Sequence, residues 1–161
     1  MNKSRQIIFE ERQKFSPFWL LVTFLLVPVL LIVKYKDEAF DITGLFVPIS
    51  VVGIISILFI FSKLETVICR DEIQYRLFPF HLNMRKISRE EIADVFVRKY
   101  SPLLEYGGWG LRWGLNGKAI NIRGNMGIQV VLKNGTRILI GTSNADAVQK
   151  ALENFTVPPV S

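Results

Sequence analysis

The sequence predicts a membrane α-helical hairpin followed by a β-rich domain, and three observations carry that expectation. Two long uncharged runs lie within the first 62 residues, short alternating segments broken by turn residues fill most of the remainder, and one amphipathic stretch precedes Pro158-Pro159. Half of the 161 residues are hydrophobic and the mean hydropathy is +0.30, more apolar than a chain with only a core to fill.

Charge divides the chain in the same place. Residues 1–62 hold six basic and five acidic side chains, and residues 63–161 hold fourteen and nine, so the second part carries nearly all of the net +6. A single cysteine, Cys69, excludes an intrachain disulfide, and a single histidine, His81, excludes a Cys/His zinc site of the usual spacing. No metal or cofactor is therefore expected.

Taken in order, residues 1–14 read as an N-terminal tail. Phe15–Val33 is a run of nineteen uncharged residues and Ile42–Ser62 a run of twenty-one. At ~1.5 Å rise per helical residue each run is long enough for a hydrocarbon core of ~30 Å, and neither alternates with period two. Pro17 and Pro48 suit first-turn positions and Pro28 a kink. The first run exceeds the ~7–15 apolar residues of a signal-peptide core and is followed by Lys34-Tyr35-Lys36 rather than a small-residue cleavage site. Lys3, Arg5, Arg12 and Lys14 before the runs, with Lys63 and Arg70 after them, outweigh Lys34 and Lys36 in the loop. The expected placement is thus a multi-pass protein of the cytoplasmic membrane with both termini cytoplasmic.

Residues 63–157 read as the β domain. Val67-Ile68-Cys69 leads through Asp71-Glu72 to Ile73, Tyr75 and Leu77, which alternate with Gln74 and Arg76. A short strand follows over Leu82–Ile87. Ser88-Arg89-Glu90-Glu91 matches a capping box and leads into a strand around Asp94–Tyr100. Asn116-Gly117 then joins Trp109–Leu115 to Lys118–Arg123, and Asn134-Gly135 joins Ile128–Lys133 to Thr136–Gly141; Asn-Gly is the strongest short hairpin signal. The last element is a helix with Ser143 as N-cap, Asp146 in its first turn, and Val148, Ala151, Leu152 and Phe155 on one stripe. Seven or eight short strands and one covering helix suit an antiparallel sandwich or partly closed barrel.

This order of elements resembles the pleckstrin-homology-like domain of bacterial membrane proteins, over residues 65–155. Gly107-Gly-Trp-Gly-Leu-Arg112, Asn116-Gly-Lys-Ala-Ile-Asn121, Gly124-Asn-Met-Gly127 and Phe9-Glu-Glu-Arg-Gln13 look like an uncharacterised two-helix group with a GGWG-type turn. The resemblance implies about seven strands in two near-orthogonal sheets capped by the C-terminal helix, and it transfers no activity. Eukaryotic domains of this shape often bind phosphoinositides through a basic first hairpin loop. Here that loop, Arg70-Asp71-Glu72, sets two acids beside one arginine and departs from the pattern.

No spacing of nucleophile, base or carboxylate pair points to catalysis, so the domain is expected not to be an enzyme. The glycines around Gly108-x-Gly110-x-x-x-Gly114 have the wrong spacing and the wrong strand-turn-strand context for a dinucleotide fingerprint. Trp109 and Trp113, four residues apart, share a face if the strand is uninterrupted, with Arg112 on the other. They serve either as core plugs or as the wall of a ligand groove or headgroup contact. With Arg98 and Lys99 they form the candidate binding surface. The expected function is a membrane-anchored binding or scaffold module; the alternative is a structural subunit of a membrane transport or enzyme complex. Expected partners are the lipid bilayer and either anionic headgroups or another membrane protein. No nucleic-acid reader motif is present.

Overall fold

The computed structural model describes residues 6–15, 22, 25–31, 33, 42–114 and 116–155. The chain divides into two compact units, residues 15–62 and residues 1–14 with 63–161.

In the first unit, helical residues are described at 22, 25–31 and 33, and helix α1 covers Ile42–Ile60. Among the described residues no helix is long and apolar enough to cross a membrane. This corrects the expected transmembrane hairpin (15–33 and 42–62), and with it the multi-pass placement and the cytoplasmic position of both termini. The uncharged run to Ser62 outlasts the helix, which ends at Ile60. The helix nonetheless has no charged residue, contains Pro48, and exposes Phe46, Val47, Ile54, Ile57 and Phe61 just beyond its end.

The second unit holds nine strands among the described residues, in two sheets. The first is the meander β1 (Ile7–Lys14), β2 (Lys63–Cys69), β3 (Glu72–Phe78) and β4 (Arg85–Ser88), antiparallel throughout. Period-two burial makes β2 and β3 strands: Leu64, Thr66 and Ile68 turn inward, as do Ile73, Tyr75 and Leu77. On the opposite face Arg76 Nε donates to Glu65 Oε2 at 2.9 Å across the ladder. Residues 1–14, read as a tail, supply β1 because Phe9-Glu10-Glu11-Arg12-Gln13 pairs with Leu64–Ile68. Its Gln13 is buried and donates from Nε2 to Gly141 O at 2.8 Å.

The second sheet contains β5 (Ile92–Lys99), β6 (Gly110–Gly114), β7 (Gly117–Asn121), β8 (Met126–Leu132) and β9 (Arg137–Thr142), in the order β5-β8-β9-β7-β6. β7 and β9 are parallel, so the expected all-antiparallel barrel of about seven strands is corrected to nine strands with one parallel pair. The reason is the link 122–125: four residues reach about 13 Å, enough to cross two strand spacings of ~4.8 Å and leave room for β9. The inner face of this sheet is aliphatic, with Ile120, Ile128, Val130, Ile138 and Ile140 all buried.

Two short helical segments position the rest. The box at Ser88 gives a 3₁₀ turn, Arg89–Glu91, in which Ser88 N donates to Glu91 Oε2 at 3.0 Å. Helix α2 (Pro102–Tyr106) begins at N-cap Ser101 and stops at Gly107, whose φ is 70°. The terminal helix α3 (Ala145–Glu153) packs against β1, β5 and β8, and its stripe of Val148, Ala151, Leu152, with Phe155 beyond, is buried. Its N-cap is Asn144, which accepts from Ala147 N at 3.2 Å. Ser143 is engaged instead by Glu11 and Arg123.

Candidate functional site

Opposed residues on neighbouring strands share a face of a sheet. The register therefore runs one row along the inner face of the second sheet: Val95, Val130, Ile138, Lys118, Trp113. Val130 and Ile138 are core aliphatics, and Val95 is half-buried. The row then continues past the core into a lysine and a tryptophan, where the two sheets part. There a cleft of about 520 Å³ is lined by Tyr75, Trp113, Gly114, Asn116, Gly117, Lys118, Gly135, Thr136, Arg137 and Ile138. Its size falls in the range usual for small-molecule sites.

Lys118 sits between two aromatic faces. Its Nζ lies 5.7 Å from the Trp113 ring centroid and 6.0 Å from that of Tyr75. An ammonium held over aromatic faces is stabilised by their quadrupoles. Burial, and then the nearby charge of Arg85, push the Lys118 pKa below its ordinary value. Burial raises the Tyr75 phenol, and Arg85 opposes that rise. His81 packs against Tyr75 edge to face at 5.9 Å, only 6% exposed. Its Nδ1 accepts from Leu77 N at 3.4 Å, which assigns the neutral ring's proton to Nε2. Burial lowers the His81 pKa, and Lys118 and Arg85 lower it further. The arrangement is a cleft with Lys118 set against its aromatic wall and no carboxylate among its lining residues; Arg137, opposite Val131, belongs by register to the other face of the sheet and reaches the cleft with its backbone.

The candidate residues read from sequence separate in the structure. Trp113 is 69% exposed and lines the cleft, so it is not a core plug. Trp109 lies before β6 rather than in it; it is 37% exposed, and its Nε1 donates to Gly124 O at 3.3 Å. Arg112 is on the opposite face of β6, and its Nε donates to Trp109 O at 3.1 Å. Arg98 is occupied structurally: it bridges to Glu105 at 2.8 Å, to Gln129 at 3.0 Å and to the Tyr106 hydroxyl at 3.1 Å. Lys99 is exposed at the end of β5. Arg98 also lines a second hollow of about 410 Å³ with Asp94, Phe96, Asn116, Gln129, Val131 and Arg137.

Sequence reasoning missed Lys118 and Tyr75. The signal for Lys118 was its position just beyond Asn116-Gly117, four residues from which Trp113 had already been singled out. Tyr75 had none, because only the packing of one sheet on the other brings β3 beside β7. Among the described residues no group of three or more His, Cys, Asp or Glu side chains is placed to hold a metal ion.

The fold and cleft thus define a two-sheet β unit with a cationic, aromatic-walled opening. No protein-family model matches the chain, and no curated protein matches it.

Proposed function

We propose that the β unit is a binding module whose cleft takes an anionic group carried on a planar or apolar body. The observation that carries this reading is Lys118, held against Trp113 and Tyr75, with no acidic side chain in the lining. Burial of the ammonium, and then the nearby charge of Arg85, lower the Lys118 pKa, and that is the cost of holding the charge there. A phosphate or carboxylate relieves it, and the exposed Trp113 ring offers a surface for stacking.

The test is a titration of the full chain with phenyl phosphate, inorganic phosphate and benzyl alcohol, followed through the Trp113 indole N–H in nitrogen-15 spectra. Phenyl phosphate is expected to bind more tightly than either of the others, and Lys118→Met is expected to weaken it at least tenfold. No movement of Trp113 at millimolar phenyl phosphate, or equal binding by Lys118→Met, overturns the reading.

A further inference from the structure

β6 closes one side of the second sheet: it pairs with β7 and, among the described residues, with no other strand. In an antiparallel pair every second residue points its N–H and C=O away from the partner, so an end strand presents a row of unpaired groups. Natural edges are commonly blunted by charge or by a covering element. This edge carries apolar exposure instead. Trp113 is exposed on it and Trp109 just before it, and the neighbouring helix α2 turns Leu103 and Leu104 to the surface, Leu104 to 90%.

The charges around it have one sign. Arg112 lies on one face of β6, and Lys118 directly across from Trp113 on the other. The nearest carboxylate on α2, Glu105, is held in its ion pair with Arg98. We propose that the free edge of β6 accepts an extended acidic peptide from a partner protein, which adds a tenth strand and aligns the carboxylates of one face with Lys118. The proposal rests on the reading of the cleft as an anion site and names the source of the anion. Backbone pairing supplies register and affinity in such strand addition, and side-chain pockets supply selectivity. A residue opposite Trp113 on the added strand lies two strand spacings, roughly 10 Å, from Lys118. A glutamate and a lysine side chain together span that distance across the indole. A basic strand meets the same charges as repulsion and is rejected.

The test uses the nitrogen-15-labelled full chain and three acetylated nine-residue probes: alternating Glu and Val, alternating Lys and Val, and the Glu/Val peptide N-methylated at alternate residues. N-methylation removes the donors that strand pairing needs and leaves the charges. The Glu/Val peptide is expected to slow amide exchange in β6 at least tenfold, and the other two to bind at least tenfold more weakly. Equal binding by the N-methylated peptide, protection in β1, β4 or β5 instead of β6, or undiminished binding by Lys118→Met overturns the proposal. Lys118-dependent binding of phenyl phosphate with no peptide protection of β6 defeats this inference and leaves the cleft reading standing. Lys118-dependent protection of β6 by the peptide, without phenyl phosphate binding, upholds the edge site and defeats the small-ligand reading.

Discussion

Thr142 Oγ1 donates a hydrogen bond to Glu11 Oε2 at 2.6 Å, tying the first strand of the chain to the end of the last. The other oxygen of the same carboxylate accepts from Ser143 N at 2.8 Å, and two residues along β1 Gln13 Nε2 reaches Gly141 O. β1 is therefore more than an added edge of the first sheet. Its polar side chains satisfy the backbone where β9 leaves the second sheet and turns into α3.

Replacing Glu11 by Ala removes both of these charge-assisted bonds and leaves Ser143 N–H without its acceptor. Hydrogen bonds to charged groups contribute about 1.5–3 kcal/mol each in favourable settings, less where water can substitute. Since Glu11 is half-buried, Glu11→Ala is expected to lower the unfolding free energy by about 2 kcal/mol in total. Urea denaturation of the variant checks it, and an unchanged midpoint refutes the coupling.

Thr66 predicts the opposite sign. Its side chain is 1% exposed on the inner face of β2, and its Oγ1 has no hydrogen-bond partner among the described residues. A buried hydroxyl without a partner carries a desolvation cost of about 1–3 kcal/mol, and valine has the same shape without it. Thr66→Val is expected to raise stability by about 1 kcal/mol, read from the same denaturation curves. A loss of stability means the hydroxyl is paired in solution.

The hairpin entering the cleft depends on Gly117. Its φ is 100°, and a Cβ there stands 2.3 Å from Arg137 O, a backbone atom that cannot swing aside. Gly117→Ala is expected to cost about 2–5 kcal/mol by combining backbone strain with overlap. Gly135→Ala shares the positive φ, at 83°, but meets nothing within 4 Å. It is expected to cost only about 1 kcal/mol. Thermal unfolding of the two variants side by side separates space from strain.

Much of this hairpin geometry was legible in the amino-acid sequence, and its register was not. Asn134-Gly135 does lie between paired strands, Asn116-Gly117 straddles the start of β7, and the stripe from Val148 to Phe155 is a buried helix face. A two-residue loop centred on Asn-Gly pairs Leu115 with Lys118. The observed ladder pairs Gly114 with Gly117, which brings Trp113 opposite Lys118. The difference is two residues of register, so Trp113 keeps its face and stands opposite Lys118 instead of Ile120. α2 left a readable trace in Ser101-Pro102 and Gly107, at the two ends of a five-residue helix too short for periodicity. β1 left none, because its partner strand begins 49 residues after it ends. The uncharged runs at 15–33 and 42–62 were plain, yet absence of charge measures neither where a helix stops nor what surrounds it.

Glu105 sets a pH dependence in the acid range. Its carboxyl is held below the ordinary carboxylate value chiefly by the Arg98 hydrogen bond, with further help from Ser101 N and Asn116. A depressed folded-state pKa contributes stability that is fully present above the unfolded pKa, about 4.3 for glutamate, and is lost as pH falls through the folded value. Glu105→Gln is therefore expected to flatten the decline of stability below about pH 4.3 and to leave its slope near neutrality unchanged. Parallel slopes for the two proteins throughout the acid range refute the assignment.

His81 supplies the second dependence, at a pH closer to neutrality, and it reports on the cleft itself. The ring is buried, Nδ1 is already accepting from Leu77 N, and Lys118 and Arg85 both oppose a second positive charge. The charged form is thus disfavoured in the folded state, so the folded pKa lies below the unfolded value of about 6.5. Stability from the neutral ring is fully present above that value and is lost as pH falls through the folded pKa. The carbon-bound ring protons of His81, the sole histidine, give its titration directly in proton spectra of the full chain. The midpoint is expected below 6.5 in the native protein and higher in Lys118→Met, because one of the two opposing charges has gone. Bound phenyl phosphate is expected to move it the same way by neutralising Lys118. A midpoint that ignores both changes shows that His81 and Lys118 do not share one electrostatic environment, and the cleft then loses its claim to be a single site.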